Sequence, residues 1–385
     1  MIIDLIVENG RTRGRVVLPG FNDVHAHSVW FGMTLLETDL SGVRSLDDVY
    51  RIIGDAARDA GAQEWVVASG FNPVLLHGAV PDRDVLDRVA GGRPVWIKHD
   101  ALAGLGTHRD EPARLGLGAG VRTGWGDDWL QLGPVKVFTD GSILGRTAQL
   151  TEAYEGRPGY YGYLQEDADG LRRRVLEAYA AGWSLALHAA GGAALDLALD
   201  VIEEGVARFG TRLVPNRVEH GAVVRPDQVV RLAGLGVPCV VQPRFIPAFG
   251  EGMRRAIGAD RSAWSHRGRS LLDAGLPLAF SSDRPVAAGA PLGGIQAFVE
   301  RLTEDGLAYG PDERLTAEQA VRAATEGSSQ VTGQQGSKGR LVPGQLADMV
   351  VLEEHPADVA VEESGSIPVL ATMAGGTFTH RQSGW

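Results

Sequence analysis

Eight short runs of Val, Ile, Leu and Ala close on polar residues and alternate with stretches of helical periodicity. They predict an α/β protein: a (β/α)8 TIM barrel with a small β subdomain formed by the N- and C-terminal segments. The runs are residues 16–27, 64–70, 94–99, 133–139, 183–188, 216–220, 237–242 and 277–283. Parallel strands need long crossover connections, so apolar runs alternating with helices point to a parallel sheet. A length of 385 residues suits one large barrel with an appendage, since such barrels run to roughly 250 residues or more.

The spacing predicts helices over 45–60, 170–181, 193–209, 226–235 and 264–274. Several open near Ser, Asp or Pro and finish at Gly, as the unpaired groups at helix ends require. The ends of the chain read differently. Residues 1–18 and 340–385 are short strands and turns, expected to pair as the β subdomain, which leaves 19–339 for the barrel.

Composition narrows the function. The chain is 44% apolar and 22% charged, and it lacks an apolar stretch near the roughly 20 residues a span needs. No membrane partner is expected. A formal charge of −11 argues against nucleic acid, whose phosphates are bound by clustered Lys and Arg. The opening Met1-Ile-Ile-Asp lacks the basic region and apolar core of a secretory signal, so a cytoplasmic location is the default expectation. The lone Cys239 excludes an intrachain disulfide and reads as a buried strand residue. A small-molecule substrate remains, with homo-oligomerisation open.

The first run ends Phe21-Asn-Asp-Val-His25-Ala-His27. On a strand, that spacing sends both imidazoles to one face and suits two ligands on one metal. Lys136 lies inside the apolar run Val135-Lys-Val-Phe, where an isolated ammonium costs several kcal/mol to desolvate. Two readings stand: an ion pair with a neighbouring strand, or a deprotonated lysine that has added carbon dioxide as a carbamate able to bridge two cations. His188, His220 and Asp283 each end a later run, at the C-terminal rim where barrel enzymes place their chemistry. Taken singly, each has a structural role as its plainer reading; five imidazole and carboxylate groups plus a lysine at successive strand ends point to a metal site.

These residues resemble the amidohydrolase superfamily, and within it the amidohydrolase-3 branch that includes N-substituted formamide deformylases. The resemblance runs through Pro19-Gly-Phe-Asn-Asp-Val-His-Ala-His, Val135-Lys-Val-Phe-Thr-Asp-Gly-Ser, Leu187-His-Ala-Ala-Gly, Arg217-Val-Glu-His, Val241-Gln-Pro, Ser281-Ser-Asp-Arg-Pro-Val and Val342-Pro-Gly-Gln-Leu-Ala-Asp-Met-Val-Val-Leu. It implies two divalent metals: one held by His25, His27 and Asp283, the other by His188 and His220, with carbamylated Lys136 between them. Zinc is the usual metal in similar enzymes, while this donor set also suits Mn, Fe, Co or Ni. The sequence departs from the pattern at Gly191-Gly192, where similar proteins tend to have Gly-Asp, and at Gly70-Phe-Asn-Pro, which replaces a Trp-rich signature. Its N-terminal β segment is also shorter than is usual.

The implied reaction is hydrolysis of a carbon–nitrogen bond by a metal-activated hydroxide, with Asp283 moving the proton. Ester, lactone or phosphotriester hydrolysis would use the same groups, and a metal-free binding barrel is the alternative outside enzymes. Candidate substrate contacts are His99, to polarise a carbonyl, Gln242, Arg284, Trp264 and His266. Arg217 and Glu219 are expected to orient their neighbours, and His77, His108, His355 and His380 to occupy loops or surface.

Overall fold

A computed structural model describes residues 11–12, 15–61, 64–76, 79–99 and 121–383. Residues 1–10 of the N-terminal segment, His77 and His108 lie outside the described residues, as does the side chain of His99. In chain order, β1 (Arg11–Thr12) and β2 (Arg15–Pro19) precede β3 (Thr38–Asp39), β4 (Val66–Phe71) and β5 (Val95–His99). Then come β6 (Val135–Phe138), β7 (Leu185–Ala189), β8 (Arg217–His220), β9 (Cys239–Val241) and β10 (Ala279–Phe280), and finally β11 (Met349–Leu352), β12 (Val369–Ala374) and β13 (Thr377–Arg381). The helices used below are α1 (Ser28–Thr34), α2 (Leu46–Asp59), α3 (Arg83–Val89), α4 (Ala168–Ala180), α5 (Gly192–Phe209), α6 (Pro226–Leu235), α7 (Phe245–Ser262), α8 (Arg269–Asp273) and α9 (Pro291–Glu300).

The fold is mixed α/β with parallel sheets, and it falls into two compact units. The larger comprises Met1–His25, His108–Ser281 and Ala290–Trp385. It contains a five-stranded parallel sheet in the order β10-β9-β8-β7-β6 and a five-stranded antiparallel sheet in the order β1-β2-β11-β12-β13. Every residue of β7, β8 and β9 is buried, as expected of parallel strands covered by helices. The core joins Leu185, Leu187, Val218 and Val241 of the sheet to Leu171, Val175 and Tyr179 of α4 and to Leu195, Leu199 and Ile202 of α5.

The smaller unit comprises Ala26–Thr107 and Ser282–Gly289. Its parallel sheet, β3-β4-β5, packs with α2 around Leu40, Val49, Ile53, Ala57, Val66 and Ala68. Val49, Ile53 and Ala57 recur every four residues, so they form one buried stripe on α2. Ser45 caps this helix by accepting from the Asp48 N–H at 3.1 Å.

Three sequence expectations are corrected. The run 16–27 stops being a strand at Pro19, and its ordered part joins the antiparallel sheet beside β11, with Pro19 opposite Met349. His25 and His27 therefore lie on irregular backbone, because Pro19 offers no donor and Asp23 turns the chain locally, its Oδ1 accepting from the His25 N–H at 3.3 Å. The helix expected over 264–274 shrinks to α8. The buried Arg301 guanidinium binds the carbonyls of Ser265 and His266 at 2.9 and 2.8 Å, and His266 takes a left-handed φ of 44°, so helical bonding cannot begin before Gly268. Conversely, α7 was hidden from the sequence by Pro247, Gly250, Gly252 and Gly258, the last of which bends it with a φ of 83°.

The end of β7 depends on a close backbone approach. A Cβ at Gly191 would stand 2.0 Å from the Gln149 carbonyl oxygen, whereas one at Gly192 would meet the tip of Arg225 at 3.2 Å and Thr151 and Gln228 at ordinary contact distance, 3.7 and 3.8 Å. Gly191→Ala is therefore expected to destabilise the protein by about 1–3 kcal/mol and Gly192→Ala to leave its thermal midpoint unchanged; equal midpoints for the two variants would contradict this packing.

Candidate metal centre

In the larger unit, two neighbouring parallel strands and the irregular segment after β2 bring three imidazoles together. β7 and β8 are in register with His188 opposite Glu219 and Ala189 opposite His220. The ring centroids of His188 and His220 are 4.3 Å apart and those of His25 and His220 5.4 Å apart. Strand alternation would place His220 on the face of Val218, which packs into the helix-covered core. A left-handed φ of 76° at His220, followed by 48° at Gly221, turns it away. For a non-glycine residue that backbone is uncommon and is held by its surroundings.

Each of these rings is held by a second group. His25 Nδ1 is 3.0 Å from Glu219 Oε2, and Glu219 Oε1 accepts from Arg217 Nε at 2.6 Å. Glu219 is fully buried. Burial alone would raise its carboxyl, but the positive charges of Arg217, then His25, and of Lys136 outweigh it and hold Glu219 well below the usual carboxylate range. His220 Nδ1 is 2.9 Å from Gln242 Oε1, while Gln242 Nε2 donates to Ser281 Oγ at 2.9 Å and to the Val240 carbonyl at 3.3 Å. With its amide nitrogen so committed, Gln242 presents an oxygen, and His220 carries its proton on Nδ1. His188 Nε2 donates to the Gly141 carbonyl at 3.0 Å and lies 3.5 Å from Asp140.

Asp140 is the residue whose part the sequence did not disclose. It is fully buried and accepts the N–H groups of Ala190, Gly191 and Gln149 at 3.0, 2.8 and 2.9 Å. Burial pushes its carboxyl up to about 7 against the pull of these donors. It thereby fastens the end of β6 to the turn that follows β7. Its signal was an acid closing an apolar run inside Val135-Lys-Val-Phe-Thr-Asp140.

Lys136, on β6, has its Nζ 4.3 Å above the Phe138 ring, and as an ammonium it adds to the field that keeps Glu219 ionised. In the smaller unit, His27 Nε2 lies 3.1 Å from Asp283 Oδ1 and the His27 N–H donates to the Arg284 carbonyl at 2.8 Å. Asp283 has a φ of 54°. Arg284 stacks on the Phe31 ring at 3.8 Å.

The remaining candidate contacts lie on several elements. His266 is fully buried behind β9, where its Nδ1 accepts from the Gln242 N–H at 3.4 Å and its ring meets the edge of Phe245. Trp264 accepts the Val224 N–H through its carbonyl. His99 closes β5. Gly192, where an acid was expected from similar proteins, opens α5 beside Arg225, whose guanidinium binds Asp196 and Asp227 at 3.0 and 2.9 Å. His355 holds a local turn, accepting from Ala357, and His380 is exposed on β13.

This donor set fits a divalent cation. Metal-binding histidines commonly donate their second ring N–H to a carboxylate or carbonyl; Glu219 and the Gln242 oxygen occupy that position for His25 and His220, so Nε2 is the nitrogen each would offer. For His188, bonded through Nε2, it is Nδ1.

The chain belongs to the amidohydrolase family, whose model matches residues 12–104 and 100–380. It is therefore an enzyme of the group that hydrolyses carbon–nitrogen bonds other than peptide bonds, and the family implies a divalent metal. It is 25% identical to Protein LONG AFTER FAR-RED 3 of Arabidopsis thaliana, over 94% of this chain and 82% of that one. To N-substituted formamide deformylase of Arthrobacter pascens it is 27% identical, over 66% of this chain and 47% of the relative. It shares its fold with an uncharacterized metal-dependent hydrolase from Pyrococcus horikoshii OT3, with a TM-score of 0.73 and 24% identity over 91% of this chain and 88% of that one. Among the described residues no helix is long and apolar enough to cross a membrane.

Replacing Glu219 by Gln keeps the shape of the side chain and removes the charge behind His25. The affinity for a divalent metal, followed by titrating the chelated protein with zinc, is expected to fall about 10–100-fold. An unchanged affinity would show that His25 needs no carboxylate behind it.

Proposed function

We propose that this enzyme hydrolyses a non-peptide amide, whether N-formyl, N-acyl or cyclic, at a centre of two divalent metals, most simply zinc, within a closed (β/α)8 barrel spanning residues 19–339. The observation that supports it is the cluster of His25, His188 and His220, with Nδ1 of His25 and His220 backed by Glu219 and Gln242. The ligand assignment follows the motifs: His25, His27 and Asp283 for one cation, His188 and His220 for the other, and Lys136 as a carbamate for both. That carbamate forms when the deprotonated ε-amine attacks carbon dioxide, making a nitrogen–carbon bond and releasing a proton. The formamide deformylase among the relatives supports an amide as substrate.

Divalent cations there supply Lewis acidity for the carbonyl and acidify a water toward neutrality. The chain's own residues manage the protons and the geometry. Asp283 takes a proton from the attacking water and returns it to the leaving nitrogen, so that an amine departs in place of a far more basic amide anion. Glu219, ionised beside Arg217, fixes the ring of His25. Gln242 fixes His220 in one tautomer, which keeps the donor set in place through turnover.

Chelation is expected to abolish amide hydrolysis and zinc to restore it, with about two metals per chain by elemental analysis; full activity of metal-free protein would overturn the proposal. Asp283→Asn is expected to lower kcat about 10²–10⁴-fold while metal content is largely kept. Activity near that of the parent would remove Asp283 as the proton carrier. Intact-protein mass spectrometry under native conditions should find one added carbon dioxide that Lys136→Met lacks.

A further inference from the structure

Arg244 stands two residues beyond Gln242, at the turn where β9 gives way to α7. It therefore lies on the same C-terminal rim of the parallel sheet as His188 and His220. Its guanidinium lies over Gly293 in the first turn of α9: a Cβ there would come within 2.8 Å of Nη1 and 3.2 Å of Cζ. Gly293 thus leaves the slot that the arginine fills. Among the described residues Arg244 Nε is buried and finds no acceptor, and burial lowers the proton affinity of the guanidinium.

Four other arginines around this sheet do have partners. Arg217 binds Glu219, Arg225 binds Asp196 and Asp227, Arg267 binds Glu313, and Arg301 binds three carbonyls. A guanidinium stays protonated in proteins and presents a planar fork of donors that matches a carboxylate. Arg244 is half-buried, and the part of a guanidinium that is taken out of water without a partner costs free energy. The first turn of α9 adds favourable dipole potential for a negative charge beside it.

We propose that Arg244 binds a carboxylate carried by the substrate, so that the compounds hydrolysed are N-acyl or N-formyl amino acids in preference to neutral amides. This rests on the reading of the enzyme as an amide hydrolase and narrows its substrate class. A carboxylate matches the single positive charge of one guanidinium, and a bidentate pair would satisfy the buried Nε together with one Nη.

The test uses the zinc-loaded full-length enzyme with a panel of N-acetyl and N-formyl amino acids, each paired with its carboxamide analogue, which lacks the charge. The parent enzyme is expected to favour the acid over the carboxamide by about 100-fold in kcat/KM, chiefly through KM. Arg244→Met is expected to erase that ratio and Arg244→Lys to restore part of it. Gly293→Ala, which displaces only the tip of a flexible side chain, is expected to erode the ratio without unfolding the protein. A ratio that Arg244→Met leaves intact, or a parent enzyme that favours the carboxamides, overturns the proposal. Calorimetric binding of the same acids separates the two readings. If no amide is turned over by the parent, the activity assignment fails, and the arginine is still decided: weaker binding to Arg244→Met upholds the carboxylate site, and equal binding removes it.

Discussion

A buried carboxylate, Glu219, is the constraint around which the rim of the parallel sheet is arranged. Taking a carboxylate out of water costs several kcal/mol unless charged partners offset it, and here the offset comes from Arg217 at 2.6 Å, His25 at 3.0 Å and, while it is an unmodified ammonium, Lys136. These partners come from β8 itself, the irregular segment after β2, and β6. One ionised group thus ties together three stretches of chain that are remote in sequence. Glu219 and Arg217 can meet because residues two apart share a face of a strand.

The same economy governs the neighbouring ring. His220 leaves the regular strand through a left-handed residue, and its tautomer is set by Gln242, which in turn is oriented by Ser281 and the Val240 carbonyl. Four successive strands, β7 to β10, therefore contribute or adjoin groups that fix ring orientation. Asp140 performs the corresponding task on the other side of His188, where three backbone N–H groups converge on it. A rim built in this way holds imidazoles in one geometry before any ligand arrives, which limits the reorganisation needed on binding.

Much of this was legible in the sequence, for identifiable reasons. The parallel strand carrying His188 announces itself as the apolar run Leu185-Ala-Leu ending in a polar residue, because both faces of such a strand are covered, whereas the strand carrying His220 has only Val218 to mark it. Pro226 and Gly236 bracket α6 for equally local causes: Pro fits the first helical turn, and Gly accepts the left-handed φ of 63° that ends it. What failed was non-local. His25 and His27 keep the spacing of strand neighbours, yet the strand ends at Pro19 to pair with β11, a partner about 330 residues away. The short α8 answers to Arg301, which no local pattern reveals, and α7 survives a proline and three glycines because Ile246, Phe249, Met253 and Ile257 bury its face. Asp140 was assigned no role from the sequence, since only the folded chain shows which N–H groups surround it. Arg244 gave no sign at all, because a sequence does not show which side chains find partners in the fold.

The arrangement of paired imidazoles as metal donors is tested most directly by a crystal structure of the zinc-loaded protein. Nε2 of His25 and His220 should stand about 2.0–2.1 Å from zinc, with Nδ1 of each ring still on Glu219 and Gln242. Zinc bound away from these rings, or ligated through Nδ1 with both supporting bonds broken, would contradict the assignment.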